Sequence, residues 1–458
     1  MVIENFKKIV YNSRMIKDMS TGHPLKLLIL FTIPVALGSL FQQFYSMIDT
    51  VIVGRFVGVE ALAALGAVGG LFFFVVGFAS GLGNGLAVIV AQEFGAKNYK
   101  NIKISYAMSI ILSTVISIFL SIIFCIFSIP LLKLMKTPDN IITMANSYIF
   151  VIYVFIIAFT FFNYFSSVLR AFGDSKSPVF FLVLATVINI ILDLVFVLII
   201  PLGCFGVALA TVIAQSLAAL ALFIYLNKKM EFLILTKEDF VLNNRMIVKL
   251  LKIGLPAALQ YSVCSIGVIF VQIAVNSFGS DIIAAFSIGT KIEAIYVIPL
   301  PALGVAISTY AGQNLGAGKK DRIQKGFISG MIIVVVYSLM CLLVNEFATP
   351  YLASIFIDSS ISSPLVLEHS LYYINVAIMF FIPLGTIFVY RTGDQGLGSG
   401  AIPLLSSFVE LLARGFASFI LPYFFGVMGL YYTGPTAWIS AAIILPICHY
   451  RLKKKLKF

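Results

Sequence analysis

Twelve apolar runs of 22 to 32 residues dominate this 458-residue chain: 25–53, 59–90, 104–129, 141–169, 178–199, 204–226, 247–276, 282–312, 327–348, 369–390, 402–424 and 427–449. An α-helix needs about 20 apolar residues to cross a bilayer, and in lipid the backbone must satisfy its own hydrogen bonds. Each run therefore reads as a transmembrane helix. The composition agrees, because only 11% of residues are charged, whereas a soluble protein carries roughly 25%. A soluble enzyme, a disordered scaffold and a secreted disulfide module are excluded. The five cysteines are scattered without a CxxC pair, and His23, His369 and His449 lie too far apart in sequence for a metal motif. Residues 1–24 are mostly polar and the first run is longer than a signal-peptide core, so no cleaved leader is expected.

The formal charge of +12 acquires meaning from its placement. The N-terminal segment, the even-numbered connections and the C-terminus hold 26 of the 31 Lys and Arg, among them Lys7, Lys8, Arg14 and the tail Arg451 to Lys457. The odd connections hold Arg55, Lys133 and Lys136. The positive-inside rule then puts both termini in the cytoplasm of a cell-membrane protein, which requires an even number of spans. The basic tail is a cytoplasmic flank, and no nucleic-acid partner is expected.

The two halves repeat. Ile33-Pro34-Val35-Ala36-Leu37 matches Leu255-Pro256-Ala257-Ala258-Leu259 at a displacement of 222, and Gln92, Gly95 and Ala96 match Gln313, Gly316 and Ala317 at 221. Gly173 and Pro178 match Gly398 and Pro403 at 225, and Gly206 matches Gly429 at 223. The expected organisation is a cytoplasmic segment 1–24, a six-span lobe 25–226, a polar linker 227–246, a second lobe 247–449 and a basic tail 450–458. Because each lobe holds an even number of spans, a pseudo-twofold axis along the membrane normal relates them. The expected fold class is an all-α polytopic membrane protein of twelve transmembrane helices in two such lobes. That symmetry suits a transporter that rocks two lobes about a midplane site; a channel would want a filter loop, and none stands out.

Ionisable residues inside a membrane are costly, so each needs a reason. Asp49, Asp193 and Thr211 fall in the outer half of the first lobe, and Asn189 shares a helix face with Asp193 four residues later. In the second lobe Lys291, Glu293, Glu410 and Arg414 sum to zero, with Glu410 and Arg414 an i, i+4 pair suited to a structural ion pair. Asp49 and Asp193 have no basic residue at similar depth, so they must hold a proton or bind Na⁺ with neighbouring oxygens. The alternative is that one of them caps a helix. Pro34 and Pro256 are hinge or fixed-bend positions. Tyr148, Gln42, Asn163, Lys291 and Glu293 are candidates to line a substrate cavity, whereas most phenylalanines should face lipid or other helices.

The duplicated layout, Asp49-Thr50-Val51 with Gly54-Arg55, Gln92 to Ala96, Gly173-Asp174 with Pro178, and Asn189-x-x-x-Asp193 resemble the multidrug and toxic compound extrusion (MATE) family over essentially the whole chain. The resemblance implies a secondary antiporter that exports cationic or amphipathic organic compounds in exchange for H⁺ or Na⁺. It places coupling-cation positions on Asp49, Asn189, Asp193 and Thr211, with the span-one proline on Pro34. A family branch with acids on spans seven and ten is not matched, because runs 247–276 and 369–390 contain none. A flippase for lipid-linked precursors is the competing reading, and it would want a more cationic cavity for diphosphate. A membrane enzyme would need a clustered nucleophile, base or metal set, which is not apparent. The expectation is a monomer without cofactor, whose partners are the bilayer, a small organic substrate and the coupling ion.

Overall fold

A computed structural model describes residues 17–356 and 364–457, and among these residues there are helices and no strands. Lys7, Lys8 and Arg14 lie outside the described residues. In chain order the helices are α1 (Pro24–Ile52), α2 (Val59–Gly95), α3 (Tyr99–Leu134), α4 (Asp139–Val154), α5 (Ile156–Ala171), α6 (Ser177–Leu194), α7 (Gly203–Lys229) and α8 (Asn244–Asn276). They continue as α9 (Ser280–Val297), α10 (Pro299–Gly316), α11 (Lys320–Phe356), α12 (Pro364–Met379), α13 (Phe381–Gly396), α14 (Ala401–Phe425), α15 (Val427–Tyr431) and α16 (Thr433–Leu456). Ten helical segments are long and apolar enough to cross a membrane, and the pairs α4/α5 and α12/α13, each bent by 50°, bring the spans to twelve. The chain is a multi-pass membrane protein.

The backbone carries the repeat in finer detail than the residues do. The bend between α4 and α5 falls at Phe155 (φ −110°, ψ 27°), and its counterpart between α12 and α13 falls 225 residues later at Phe380 (φ −106°, ψ 18°). Gly173 and Gly398, the matched glycines, both turn left-handed after their helices, at φ 84° and 91°. Only glycine adopts that region without a Cβ clash. After α2 the same left-handed position is taken by Lys97 (φ 56°), where the second half has Gly318 (φ 70°). Packing repeats too: α2 lies on α5 and α6 on α7, as α10 lies on α13 and α14 on α16.

Two compact units emerge from the packing. Of the described residues, the first comprises 17–18 and 37–261, and the second comprises 19–36, 262–356 and 364–457. Helices α1 and α8 therefore each contribute to both. In both helices the change of unit falls within six residues after the interior proline, Pro34 or Pro256. Both helices run unbroken through the proline.

The first unit is built around Leu86, Ile89, Tyr106, Tyr164 and Leu222 towards one end and Val53, Ala64, Ile149 and Val207 towards the other. Within the second unit Phe31, Tyr310, Phe381 and Trp438 share a core. Its entry segment is tied down by charge-assisted bonds: Lys319 Nζ donates to the Ser20 carbonyl and an Arg322 Nη to that of Gly22, both at 2.8 Å. In the linker, Thr236 and Asp239 form a reciprocal cap on a short 3₁₀ turn, and Lys103 Nζ lies 2.9 Å from Asp239. Burial raises the Asp239 carboxyl, but the Thr236 N–H and hydroxyl and Lys103 together outweigh it and hold the group below its usual range.

Candidate functional site

The four residues expected to bind a cation come together inside the first unit. Asp49 sits in the last turn of α1 and Asp193 near the end of α6, and each helix then widens into a π turn, Val53–Val57 and Val195–Ile199. The two π turns pack on each other and on α7, which carries Thr211. Such turns rotate the following side chains out of helical register and recur at functional sites. Asn189, Asp193 and Thr211 are buried, at 2%, 0% and 2% exposure, while Asp49 is half-buried.

We assign the orientation of the Asn189 amide from its hydrogen-bonding neighbours. With its oxygen accepting from the Thr211 N–H at 3.1 Å, its nitrogen lies 3.2 Å from Asp49 Oδ1, 3.3 Å from Asp193 Oδ2 and 3.2 Å from Tyr45 Oη. The reverse orientation would aim the oxygen at acceptors alone. The Asp49 and Asp193 carboxyls lie within hydrogen-bonding range of each other, and the Tyr45 hydroxyl within range of Asp49. Tyr45 also lies 3.4 Å from Thr211 Oγ1, which donates to the Val207 carbonyl at 2.9 Å. Asp193 Oδ1 is buried with no partner. Two acids, one orphaned oxygen and a fixed amide form a site able to hold one proton or one small cation.

Tyr45 was not among the residues singled out in the sequence, although it precedes Asp49 by four and so shares its face. Tyr148 is 7% exposed, within electrostatic range of both acids, and packs against the Phe72 ring at 6.3 Å. Gln42 is exposed on α1. Asn163 on α5 accepts from the Ser80 hydroxyl at 2.8 Å. Asn163 also donates to the Phe159 carbonyl at 2.9 Å, so its partners lie on α2 and α5 and not at the acids.

In the second unit the ion pair has a third member. Glu410 accepts from Arg414 at 2.8 Å and from Arg391 at 2.7 Å, and Arg391 Nε donates to Ser406 at 2.8 Å. Arg391 follows the apolar run 369–390 and falls among the even-numbered connections by sequence, but α13 continues to Gly396 and the residue is only 5% exposed. The balanced set of Lys291, Glu293, Glu410 and Arg414 therefore gains one positive charge. The tenth span also holds an acid after all: Asp394, fully buried, lies 2.6 Å from His449 Nδ1. The hydropathy boundary at 390 had excluded it. Glu293 accepts from the Tyr373 hydroxyl, and Lys291 is exposed on α9.

Comparison with known proteins gives one answer. The family model described as MatE matches residues 34–195 and 256–420, one match in each half. The "Probable multidrug resistance protein YoeA" of Bacillus subtilis is 31% identical over 345 residues, covering 71% of this chain and 74% of that protein. A protein of Shewanella oneidensis named "FAD transporter" is 27% identical over 375 residues, covering 80% of this chain and 81% of its own length. Among solved structures, "Crystal structure of MATE in complex with MaL6" aligns at a TM-score of 0.89 over 97% of this chain and 100% of that one, with 21% identity, which speaks for the fold.

Proposed function

Because this chain belongs to the MATE family of membrane transporters, we propose that it exports cationic or amphipathic organic compounds, drugs among them, in exchange for a cation held between Asp49 and Asp193. The observation that carries the coupling reading is the close acid pair, with Asp193 buried and one of its oxygens orphaned. Among the described residues no basic side chain forms a salt bridge with this pair, which leaves its charge to an exchangeable cation in this reading. Drug resistance in the name of the relative from Bacillus subtilis supports efflux as the direction.

We infer that this cation is H⁺ rather than Na⁺. The Asn189 nitrogen, a donor, faces both carboxylates, while its oxygen is committed to the Thr211 N–H. A hydrogen bond between two carboxyls requires a proton on one of them. A sodium ion would need the amide turned so that its oxygen joined Asp49, Asp193, Tyr45 and Thr211. Protonation removes one charge from the pair, loosens its hold on Asn189 and Tyr45 and gives the α1 and α6 termini a second packing. Alternating access then follows if the helix segments beyond Pro34 and Pro256 swing as units. Both termini are cytoplasmic in this scheme, and proton entry from outside reaches the acids through the outer half of the first lobe.

The test is transport by purified protein in liposomes under separate H⁺ and Na⁺ gradients. A proton gradient alone is expected to drive uptake of an organic cation, and a response to Na⁺ alone would reverse the assignment of the ion.

A further inference from the structure

The first unit holds a second unpaired charge, of opposite sign to the acid pair and on a different pair of helices. Arg170 lies in the last turn of α5, and its guanidinium points back along the helix towards α2. One Nη donates to Ser167 Oγ at 2.7 Å and to Asn84 Oδ1 at 3.3 Å, and Nε is buried with no partner. Asn84 stands eleven residues before the end of α2, about 16 Å along the helix, so the charge sits well inside the span. Among the described residues no carboxylate lies in salt-bridge range; the Tyr261 ring of α8 is the one titratable group within electrostatic range. Buried guanidinium groups are ordinarily matched by an anion, because the desolvation cost of the lone ion is several kcal/mol.

The surroundings are built for a polar ligand. A ladder of Ser80, Asn163, Ser167 and Asn84 runs beside Arg170 along the α2/α5 contact, with Ser80 donating to Asn163 Oδ1 and Ser167 to Asn84 Oδ1, each at 2.8 Å. Gly83 lets the two backbones meet, since a Cβ there would lie 2.9 Å from the Asn163 carbonyl carbon. Asn84 accepts through its oxygen, and its amide nitrogen donates to no described residue. Arg170 and Asn84 are both half-buried, so the donors are shielded from water but reachable.

We propose that Arg170 and Asn84 form an oxyanion site that takes the carboxylate or phosphate of the transported compound, so that the protein favours zwitterionic over purely cationic cargo. A planar guanidinium with a neighbouring amide donor matches two oxygens of either group. This rests on the efflux reading for its cargo, while the anion site itself can be tested by binding alone.

Detergent-purified full-length protein is titrated with norfloxacin, which carries a carboxylate and an ammonium, and with its methyl ester, which keeps the cation and loses the acid. Wild type is expected to bind the acid about tenfold more tightly than the ester, the worth of one charge-assisted contact. Arg170→Gln is expected to reduce acid binding to the level of the ester and leave the ester unchanged, and Arg170→Lys to retain part of the difference. Should Arg170→Gln not accumulate, Asn84→Leu is expected to weaken the acid severalfold and spare the ester. Equal affinity of acid and ester in wild type, or equal loss of both in the variants, overturns the proposal. Inorganic phosphate identifies the source: competition with norfloxacin that vanishes in Arg170→Gln supports a site open to free oxyanions, and acid preference without competition supports one that needs the organic body. Cells that export neither compound would defeat the efflux reading, whereas the acid–ester difference decides the anion site independently.

Discussion

Replacing Asn189 with leucine keeps the side-chain volume near constant and removes the one donor aimed at both acids. The amide nitrogen lies 3.2 Å from Asp49 and 3.3 Å from Asp193, near the long end of hydrogen-bond range. A bond to a charged group is worth about 1.5–3 kcal/mol, and two long ones that share a donor group together favour the ionised pair by about 2–3 kcal/mol. At about 1.4 kcal/mol per pH unit, their loss corresponds to a shift of about 1–2 units. The sign follows from the donor. An N–H stabilises carboxylate over carboxylic acid, so without it the pair keeps its proton to higher pH. The pH dependence of transport in liposomes should therefore move to the alkaline side by that amount, with slower turnover at neutral pH because the proton leaves reluctantly. An unchanged profile, or one displaced to the acid side, would refute the idea that Asn189 donates to both acids.

Other parts of the fold give sharper stability tests. Glu410→Gln leaves Arg391 and Arg414 facing each other in the second unit without their shared carboxylate, and should cost about 3–5 kcal/mol, read as a fall in thermal midpoint in detergent. Gly173→Ala puts a Cβ 2.0 Å from the Lys17 carbonyl oxygen at a φ of 84°, so the folded yield should drop well beyond the roughly 1 kcal/mol that the backbone conformation alone would cost. Lys97→Gly should do the opposite: its left-handed position is held by glycine in the second half, and the exchange should stabilise by about 1 kcal/mol, seen as a raised thermal midpoint.

Much of this molecule was legible in its sequence because lipid imposes a one-dimensional rule. A backbone that meets hydrocarbon must be helical, so the length of each apolar run determines its element, and the displacement between Pro34 and Pro256 or Gly173 and Gly398 reports the duplication. The acid cluster was also readable in part, since depth along a helix follows from residue count and the i, i+4 spacing puts Asn189 and Asp193 on one face. For the charges of the tenth span the reading fell short through one assumption: that a charge ends a span. Arg391 and Asp394 lie inside α13, where Glu410 and His449 on other helices give them polar partners. Such compensation is a tertiary property with no local signature. The direction of the Arg170 side chain was invisible for the same reason, and the residue passed as a loop cation. Nor does hydropathy mark the bends at Phe155 and Phe380, which leave the apolar runs uninterrupted.

The central claim is that the Asp49–Asp193 pair surrenders its cation when the substrate binds. Proton counting on purified protein in weakly buffered solution tests it directly, with ethidium as the bound cation. Wild type is predicted to release about one proton per ethidium bound, the number two adjoining carboxyls share. Asp193→Asn is predicted to bind ethidium and release none. Proton release that persists in Asp193→Asn and in Asp49→Asn would contradict the account.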